Sequence, residues 1–211
     1  MARFPRGLYA LTPDEPDTAA LVAAVRSAAA GGAAAVQYRN KRADAAFARV
    51  QAAALAELCR EAGVPLIVND DLELALEVDA AGVHLGRDDG DLAAARRRLP
   101  PGKLLGASCY DRLDRAVQAV AAGADYVAFG SVFASPTKPA AVRAPLTLFG
   151  EAKRRLGVPV VAIGGITLEN AREVVAAGAD ALAVITALFE VDDIAARARA
   201  FRALFARMET A

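Results

Sequence analysis

Two apolar segments of the chain each end in acidic residues. Residues 66–71 read Leu-Ile-Val-Asn-Asp-Asp, and residues 83–89 read Val-His-Leu-Gly-Arg-Asp-Asp. If the two apolar runs are neighbouring strands, the acids at their ends lie close together. Carboxylate oxygens bind Mg²⁺, which usually shares its coordination shell with substrate phosphates. We predict that Asp70 and Asp89 are metal ligands, and that Asp71 and Asp88 cap the helices that follow.

Long hydrogen-bond donors follow another apolar run. Gln37, Arg39 and Lys41 alternate, so their side chains point the same way if a strand extends through all three. Several converging donors suit a diphosphate, which must be neutralised on more than one oxygen. Lys138, between Pro136 and Pro139, is a further candidate cation. Lys41 and Lys138 are two of only four lysines in the chain.

Other polar groups follow later apolar runs. Gly164-Gly165 and Thr186 form a candidate phosphate cradle, in which backbone N–H groups approach an anion. Ser108 ends another run. His84 is the single histidine and lies inside an apolar run, so we expect a hydrogen-bonded core residue rather than a base. The site therefore has cations, metal ligands and a phosphate cradle, but no evident general base. Loss of an anionic leaving group suits such a site.

The elements that must position these residues are short strands alternating with amphipathic helices. The strands are continuous apolar runs, which is typical of parallel strands buried on both faces. Strands are predicted at Gly7–Leu11, Ala34–Arg39, Pro65–Asn69, Gly82–Leu85, Leu104–Ser108, Tyr126–Phe129, Val158–Ile163 and Ala181–Ile185. Helices are predicted at Asp17–Ala30, Asp44–Ala62, Leu72–Val78, Asp91–Leu99, Arg112–Ala121, Leu146–Leu156, Leu168–Ala177 and Ile194–Met208.

Eight βα units in 211 residues predict an α/β fold, a single (β/α)8 TIM barrel with one domain over residues 1–211. Such barrels gather their chemistry at the carboxyl ends of the strands, where the polar candidates lie. Residues 119–128 and 174–183 match in seven of ten positions, which indicates a repeated structural unit. An open doubly wound sheet is the competing architecture, but residues 8–13 lack the G-x-G-x-x-G turn of its dinucleotide-binding form.

Composition excludes several classes of protein. Hydrophobic residues make up 55% of the chain and the net charge is zero, so we expect no nucleic-acid partner and no disorder. No apolar stretch is long enough for a membrane span, and the first residues do not resemble a secretion signal, so we expect no membrane partner and a cytoplasmic location. Cys59 and Cys109 have no metal-binding spacing and are expected to be buried thiols. A homo-oligomer is left open.

The chain resembles the thiamine phosphate synthase (thiamine-phosphate pyrophosphorylase) family from about Leu8 to Phe189. The matching motifs are Gln37-Tyr-Arg-Asn-Lys41, Val68-Asn-Asp-Asp71, Gly82-Val-His-Leu-Gly86 with Asp89, Ser108, Gly130-Ser-Val-Phe133, Ser135-Pro-Thr-Lys138, Ile163-Gly-Gly-Ile166 and Val184-Ile-Thr186. Each motif alone is unspecific, whereas the set is highly specific. The chain departs from the usual pattern in two places: Arg87 stands where glutamine is common, and Ser135 where threonine is common.

The resemblance implies a Mg²⁺-dependent transferase that joins 4-amino-2-methyl-5-hydroxymethylpyrimidine diphosphate (HMP-PP) to a thiazole phosphate, giving thiamine phosphate and diphosphate by a dissociative mechanism. It implies that Lys138, Arg39 and Ser108 are catalytic, and that Asp70 and Asp89 bind Mg²⁺. The implied HMP-PP site is Gln37, Tyr38, Arg39, Asn40, Lys41, Asn69, Ser108 and Lys138. The implied thiazole phosphate site is Ser135, Pro136, Thr137, Gly165, Ile185 and Thr186.

Three other functions compete with this one. A related thiazole tautomerase would lack the pyrimidine-diphosphate and metal residues, which this chain retains. A sugar-phosphate isomerase would need a catalytic acid–base pair, and none is evident. A non-catalytic ligand-binding barrel would tolerate an incomplete set of cations and acids, whereas the set here is complete.

Overall fold

The computed structural model describes residues 3–134 and 142–206 and contains a closed barrel of eight parallel strands. Every strand pairs with its neighbours in the sequence, and β8 pairs with β1 to close the barrel. The strands are β1 Gly7–Leu11, β2 Ala35–Tyr38, β3 Leu66–Asn69, β4 Gly82–Leu85, β5 Leu104–Tyr110, β6 Tyr126–Phe129, β7 Val160–Ile163 and β8 Ala181–Val184. The predicted (β/α)8 barrel is confirmed, and the open sheet is excluded.

Helices connect the strands and cover the barrel. They are α1 Thr18–Ala30, α2 Ala45–Ala62, α3 Leu72–Glu77, α4 Leu92–Arg98, α5 Leu113–Ala121, α6 Thr147–Arg155, α7 Leu168–Ala176, α8 Thr186–Phe189 and α9 Ile194–Ala206. The sequence analysis missed α8, a four-residue helix directly after β8. Such a helix is too short for a periodic apolar pattern to identify it. Of the predicted helix Ile194–Met208, residues 207 and 208 lie outside the described part.

The apolar residues form two layers. Alternate residues of β1 illustrate them, because Leu8 and Ala10 pack toward the helices while Tyr9 and Leu11 fill the barrel interior. All five residues of β1 are buried. Burial on both faces explains why the strands read as continuous apolar runs rather than alternating ones.

The internal repeat places one aspartate in equivalent positions at the amino ends of two strands. Asp125 Oδ2 accepts the N–H of Leu105 at 2.7 Å and an Arg96 N–H at 2.9 Å. Asp180 Oδ2 accepts the N–H of Val160 at 3.0 Å, and its Oδ1 accepts from Lys153 at 2.9 Å. Each carboxylate therefore links the amino end of a neighbouring strand to a basic side chain of the helix that precedes that strand. The repeat stabilises the end of the barrel opposite the candidate site.

Within the two described ranges, no helix is both long enough and apolar enough to cross a membrane.

Candidate active site

The barrel interior contains a continuous line of hydrogen bonds between five side chains. Gln37 Nε2 lies 2.8 Å from Tyr9 Oη, and Tyr9 Oη lies 3.0 Å from Tyr126 Oη. His84 Nδ1 lies 3.1 Å from Tyr126 Oη, and His84 Nε2 lies 2.9 Å from Ser108 Oγ. The line begins and ends at two predicted substrate-binding residues, Gln37 and Ser108. It contains residues of five different strands.

His84 is a hydrogen-bonded interior residue, as predicted. The side chain faces the barrel interior and both ring nitrogens have hydroxyl partners. Burial lowers the pKa of His84 to about 4, against the opposing charge of Asp70. The imidazole is therefore neutral at physiological pH.

The residues after β1 hold the segment after β2. Thr12 is fully buried, and its Oγ1 accepts the N–H of Arg39 and donates to the carbonyl of Arg39, both at 2.8 Å. Asp14 Oδ1 accepts from Arg39 Nη1 at 3.1 Å and from the backbone N–H of Lys41 at 2.9 Å. Because β2 ends at Tyr38, the predicted strand through Arg39 is wrong, and alternation along a strand does not orient Arg39 and Lys41. The loop contacts with Thr12 and Asp14 orient them instead.

Two predicted binding residues have their polar groups engaged within the protein. Tyr38 Oη donates to Gln51 Oε1 at 3.1 Å, and the ring packs among the residues between the sheet and the helices. Asn40 donates to Gln51 Oε1 and to the carbonyl of Glu15, and its own oxygen accepts the N–H groups of Arg42 and Ala43. In this arrangement both residues fix the loop between β2 and α2.

The two predicted metal ligands lie side by side. The carboxyl groups of Asp70 and Asp89 lie close enough to shift each other's pKa, and Lys41 Nζ pairs with Asp70 Oδ2. Asp89 Oδ2 also accepts the N–H of Gly86 at 2.8 Å. Asp70 has a left-handed backbone, with φ of 64°, and its N–H donates to the carbonyl of His84. A non-glycine residue in that region costs about 1 kcal/mol, so surrounding contacts must hold Asp70 there.

The environment separates the ionisation of the two acids. Burial alone would raise the pKa of Asp70, but the paired Lys41 ammonium and the neighbouring Asp89 carboxyl hold that pKa below its usual value. Burial and the neighbouring Asp70 carboxyl raise the pKa of Asp89. The two neighbouring carboxyl groups therefore differ in pKa, that of Asp70 being lowered and that of Asp89 raised. Among the described residues, no group of three or more His, Cys, Asp or Glu side chains is arranged to hold a metal.

The capping predictions for Asp71 and Asp88 have different outcomes. Asp71 caps α3, since its side chain accepts the N–H of Leu74 at 2.9 Å. The capping prediction for Asp71 is therefore confirmed. The same prediction for Asp88 is wrong, because Asp91 caps α4 through the N–H of Ala94. Gly90 lies between the Asp88-Asp89 pair and Asp91, so Asp88 is too far from the start of α4 to cap it.

Two clefts share Asp70 as a lining residue. One, of about 220 Å³, has the segment from Tyr38 to Lys41 on one side and Asn69 and Asp70 on the other. The other, of about 480 Å³, is lined by Asp70, Asp89 and the start of α4. Asn69, the last residue of β3, is in register with His84 of β4. Predicted diphosphate-binding and metal-binding residues thus line adjoining clefts.

The opposite side of the barrel mouth carries the predicted phosphate cradle. Gly165 has φ of 62°, and a Cβ there would lie 2.3 Å from the carbonyl oxygen of Ala134. Glycine is therefore required for the loop after β6 to lie against the loop after β7. Ile185 lies between β8 and α8, and Thr186 is the first residue of α8. Four predicted site residues lie outside the described part of the chain: Ser135, Pro136, Thr137 and Lys138.

Arg87, one of the two departures from the family pattern, packs against an aromatic ring. The guanidinium carbon lies 4.9 Å from the ring centroid of Tyr110, whose ring also has Arg115 at 5.4 Å. This cation–π contact directs Arg87 toward the end of β5.

Comparison with known proteins identifies the family of this chain. The family model described as thiamine monophosphate synthase matches residues 8–188. A thiamine-phosphate synthase from Aromatoleum aromaticum is 62% identical over 200 residues, which cover 95% of this chain and 96% of that protein. One from Methylobacillus flagellatus is 59% identical, with 95% of both chains covered. The chain belongs to the thiamine monophosphate synthase family.

A solved structure supports membership of the thiamine monophosphate synthase family. Thiamine phosphate pyrophosphorylase from Pyrococcus furiosus superposes with a TM-score of 0.83 at 36% identity, covering 95% of this chain and 96% of that one. The predicted family is therefore confirmed over nearly the whole chain.

Sequence reasoning missed several residues that shape the site of this thiamine monophosphate synthase family member. Thr12 and Asp14 follow β1, whereas all the predicted site residues lie in or after later strands. Gln51, fully buried in α2, looked like an ordinary helix residue. Tyr9 and Tyr126 read as strand residues, and no sequence signal shows that their hydroxyl groups meet.

Proposed function

We propose that this protein is a thiamine phosphate synthase. It transfers the aminopyrimidinylmethyl group of HMP-PP to the ring nitrogen of thiazole phosphate and releases diphosphate. The observation that carries the proposal is the contact of Lys41 with Asp70, beside the neighbouring carboxyl group of Asp89. A cation and two acids in contact at the strand ends suit a bound metal diphosphate.

The proposed diphosphate site consists of Arg39 and Lys41, together with Lys138, which is assigned from the sequence alone. Arg39 and Lys41 are each paired with a carboxylate, Asp14 and Asp70 respectively. These pairs hold the cations at the edge of the cleft before substrate binds. Held in place, the two side chains neutralise a diphosphate at little further cost in ordering.

Asp70 and Asp89 are the proposed ligands of Mg²⁺. Two carboxylates suffice, because Mg²⁺ commonly takes one or two from the protein and the rest of its shell from phosphates and water. Burial and the neighbouring Asp70 carboxyl raise the pKa of Asp89, and a divalent cation bound by both acids would offset their negative charges. When bound, Mg²⁺ would neutralise charge on the leaving diphosphate.

The proposed reaction is dissociative. The bond between the methylene carbon and the diphosphate oxygen breaks, and its electron pair leaves with the diphosphate. The lone pair of the thiazole nitrogen then attacks the pyrimidine cation, so neither step requires a general base. A neutral His84 bonded to two hydroxyl groups agrees with this. Gln37, Asn69 and Ser108 are proposed to orient the pyrimidine ring.

Thiazole phosphate is assigned to the other side of the mouth. Its proposed site combines Gly165, Ile185 and Thr186 with Ser135, Pro136 and Thr137. The close approach of the loops after β6 and β7 supports this grouping, since Ala134 precedes Ser135 and contacts Gly165. Backbone N–H groups of such loops are common ligands of phosphate in this fold.

A reconstituted assay tests the function. Purified protein with Mg²⁺ and both substrates should form thiamine phosphate and diphosphate in equal amounts, and omission of either substrate or addition of EDTA should stop it. Lys41→Ala should lower kcat/KM by about 100-fold. Lys103→Ala, a lysine paired with Asp79 at the opposite end of the barrel, is the matched control. No product from the wild type, although both substrates bind by calorimetry, would exclude the proposal.

A further inference from the structure

The line of interior hydrogen bonds has a direction that its donors determine. Gln37 Nε2 can only donate, so Tyr9 Oη accepts from it and sends its own hydrogen to Tyr126. Tyr126 then donates to His84 Nδ1, so the ring proton lies on Nε2. His84 Nε2–H donates to Ser108 Oγ, and the Ser108 hydrogen remains free for a ligand.

The opposite direction conflicts with the contacts. If His84 carried a proton on Nδ1, Tyr126 would have to donate to Tyr9, and the Tyr9 hydrogen would then face the Gln37 amide nitrogen, which cannot accept it. Among the described residues, every buried side-chain nitrogen and oxygen has a hydrogen-bond partner. With the Gln37 amide nitrogen facing Tyr9, one tautomer of His84 therefore fits the line of five residues.

Neighbouring residues pack closely around this line of hydrogen bonds. Tyr126 stacks on Phe4 with ring centroids 4.0 Å apart, and its ring meets Tyr9 edge-on. Gly106 of β5 leaves the space for the contact, because a Cβ there would lie 2.4 Å from Tyr126 Oη and 2.5 Å from His84 Nδ1. Apolar enclosure makes each hydrogen bond in such a chain polarise the next.

We propose that Tyr9, Tyr126 and His84 are positioning residues that fix the hydrogen-bonding roles of Gln37 and Ser108. The chain of hydroxyl groups and imidazole holds Ser108 as a hydrogen-bond donor and leaves the Gln37 amide oxygen as an acceptor. An aminopyrimidine, which carries acceptor ring nitrogens and a donor amino group, suits a site with one fixed donor and one fixed acceptor. This last step rests on the proposed function, whereas the direction of the chain does not.

The single histidine allows a direct test. In untagged protein labelled with [¹⁵N]histidine, the two-bond ¹H–¹⁵N correlation spectrum reports the tautomer of His84 alone. The wild type should show a neutral ring protonated on Nε2 at neutral pH. Tyr126→Phe keeps the stacked ring but removes the donor to Nδ1, and should populate the Nδ1–H tautomer. Tyr110→Phe, a tyrosine outside the line, should leave the spectrum unchanged.

Kinetics supply the second readout. Tyr126→Phe should lower kcat for thiamine phosphate formation about 10-fold, and adding it to Ser108→Ala should cause little further loss, because both act through one hydroxyl. If Tyr126→Phe fails to fold, Tyr9→Phe tests the same line. An Nδ1–H or doubly protonated ring in the wild type would overturn the proposal, as would a folded Tyr126→Phe protein with unchanged tautomer and activity. Absence of activity in the wild type would overturn the proposed function alone.

Discussion

The Arg39 guanidinium group and the Asp14 carboxylate form an ion pair, with Nη1 and Oδ1 3.1 Å apart. The same oxygen accepts the backbone N–H of Lys41. One carboxylate after β1 therefore holds both the side chain and the main chain of the segment proposed to bind diphosphate.

Asp14→Ala should weaken binding of HMP-PP. Arg39 loses its partner and the Lys41 N–H its acceptor, so both cations must be ordered by the substrate itself. We expect KM for HMP-PP to rise about 10-fold, equivalent to about 1.4 kcal/mol, with a smaller effect on kcat. Asp14→Asn retains an acceptor oxygen and should give an intermediate KM. Steady-state kinetics with saturating thiazole phosphate measure both, and an unchanged KM for Asp14→Ala would contradict this role.

Asp70→Ala should reduce turnover by about 100-fold and leave thiazole phosphate binding largely intact. The reason is loss of one proposed Mg²⁺ ligand at the diphosphate. Turnover is measured over a range of Mg²⁺ concentrations, and binding is measured by calorimetry.

Asp79→Ala is a closely matched control for the metal assignment. Asp79 also has a left-handed backbone, with φ of 52°, and also pairs with a lysine, Lys103. It precedes β4, at the barrel end opposite the site, so activity should be retained. Near-normal activity of Asp70→Ala would show that the metal assignment is wrong.

Asp180→Ala should destabilise the fold without affecting catalysis. The substitution leaves the buried N–H of Val160 without its acceptor and removes the partner of Lys153, which should cost about 1–3 kcal/mol. Urea unfolding monitored by circular dichroism measures the change. Glu151→Ala, which removes only the exposed pair with Arg155, should change stability by less than about 0.5 kcal/mol. Equal effects of the two substitutions would refute the structural role of the repeat.

The two cysteines should be unreactive in the folded protein. Burial raises the pKa of Cys59 and of Cys109 to about 12, so almost no thiolate forms at pH 8. Ellman's reagent should therefore titrate both thiols only after unfolding. Since an unfolded thiol ionises near pH 9, the contribution of these residues to stability should fall as pH rises from about 9 to about 12. Rapid modification of the native protein at pH 8 would contradict the burial.

Much of the fold was determined by local sequence pattern. Continuous apolar runs identified all eight strands, because strands buried on both faces have no polar side to interrupt them. Some predicted strand ends differ from the observed ones, because the backbone pairing of a single residue decides where a strand ends. The strand β2, for example, ends at Tyr38 rather than at Arg39. The helix α8 was missed because four residues carry no period. The predictions of helix caps also differ in outcome. Asp71 caps α3 as predicted, whereas Asp91 rather than Asp88 caps α4.

The candidate site shows what sequence alone determined and what required the tertiary structure. The residue types at the strand ends predicted Asp70, Asp89, Arg39 and Lys41 as site candidates, because a parallel barrel brings successive strand ends to one mouth. Which oxygen holds which cation depends on contacts between distant segments, as for Asp14 with Arg39. The line from Gln37 to Ser108 depends on five strands meeting inside the barrel. Sequence spacing encodes neighbours along one strand, whereas only closure of the barrel decides which side chains meet across its interior.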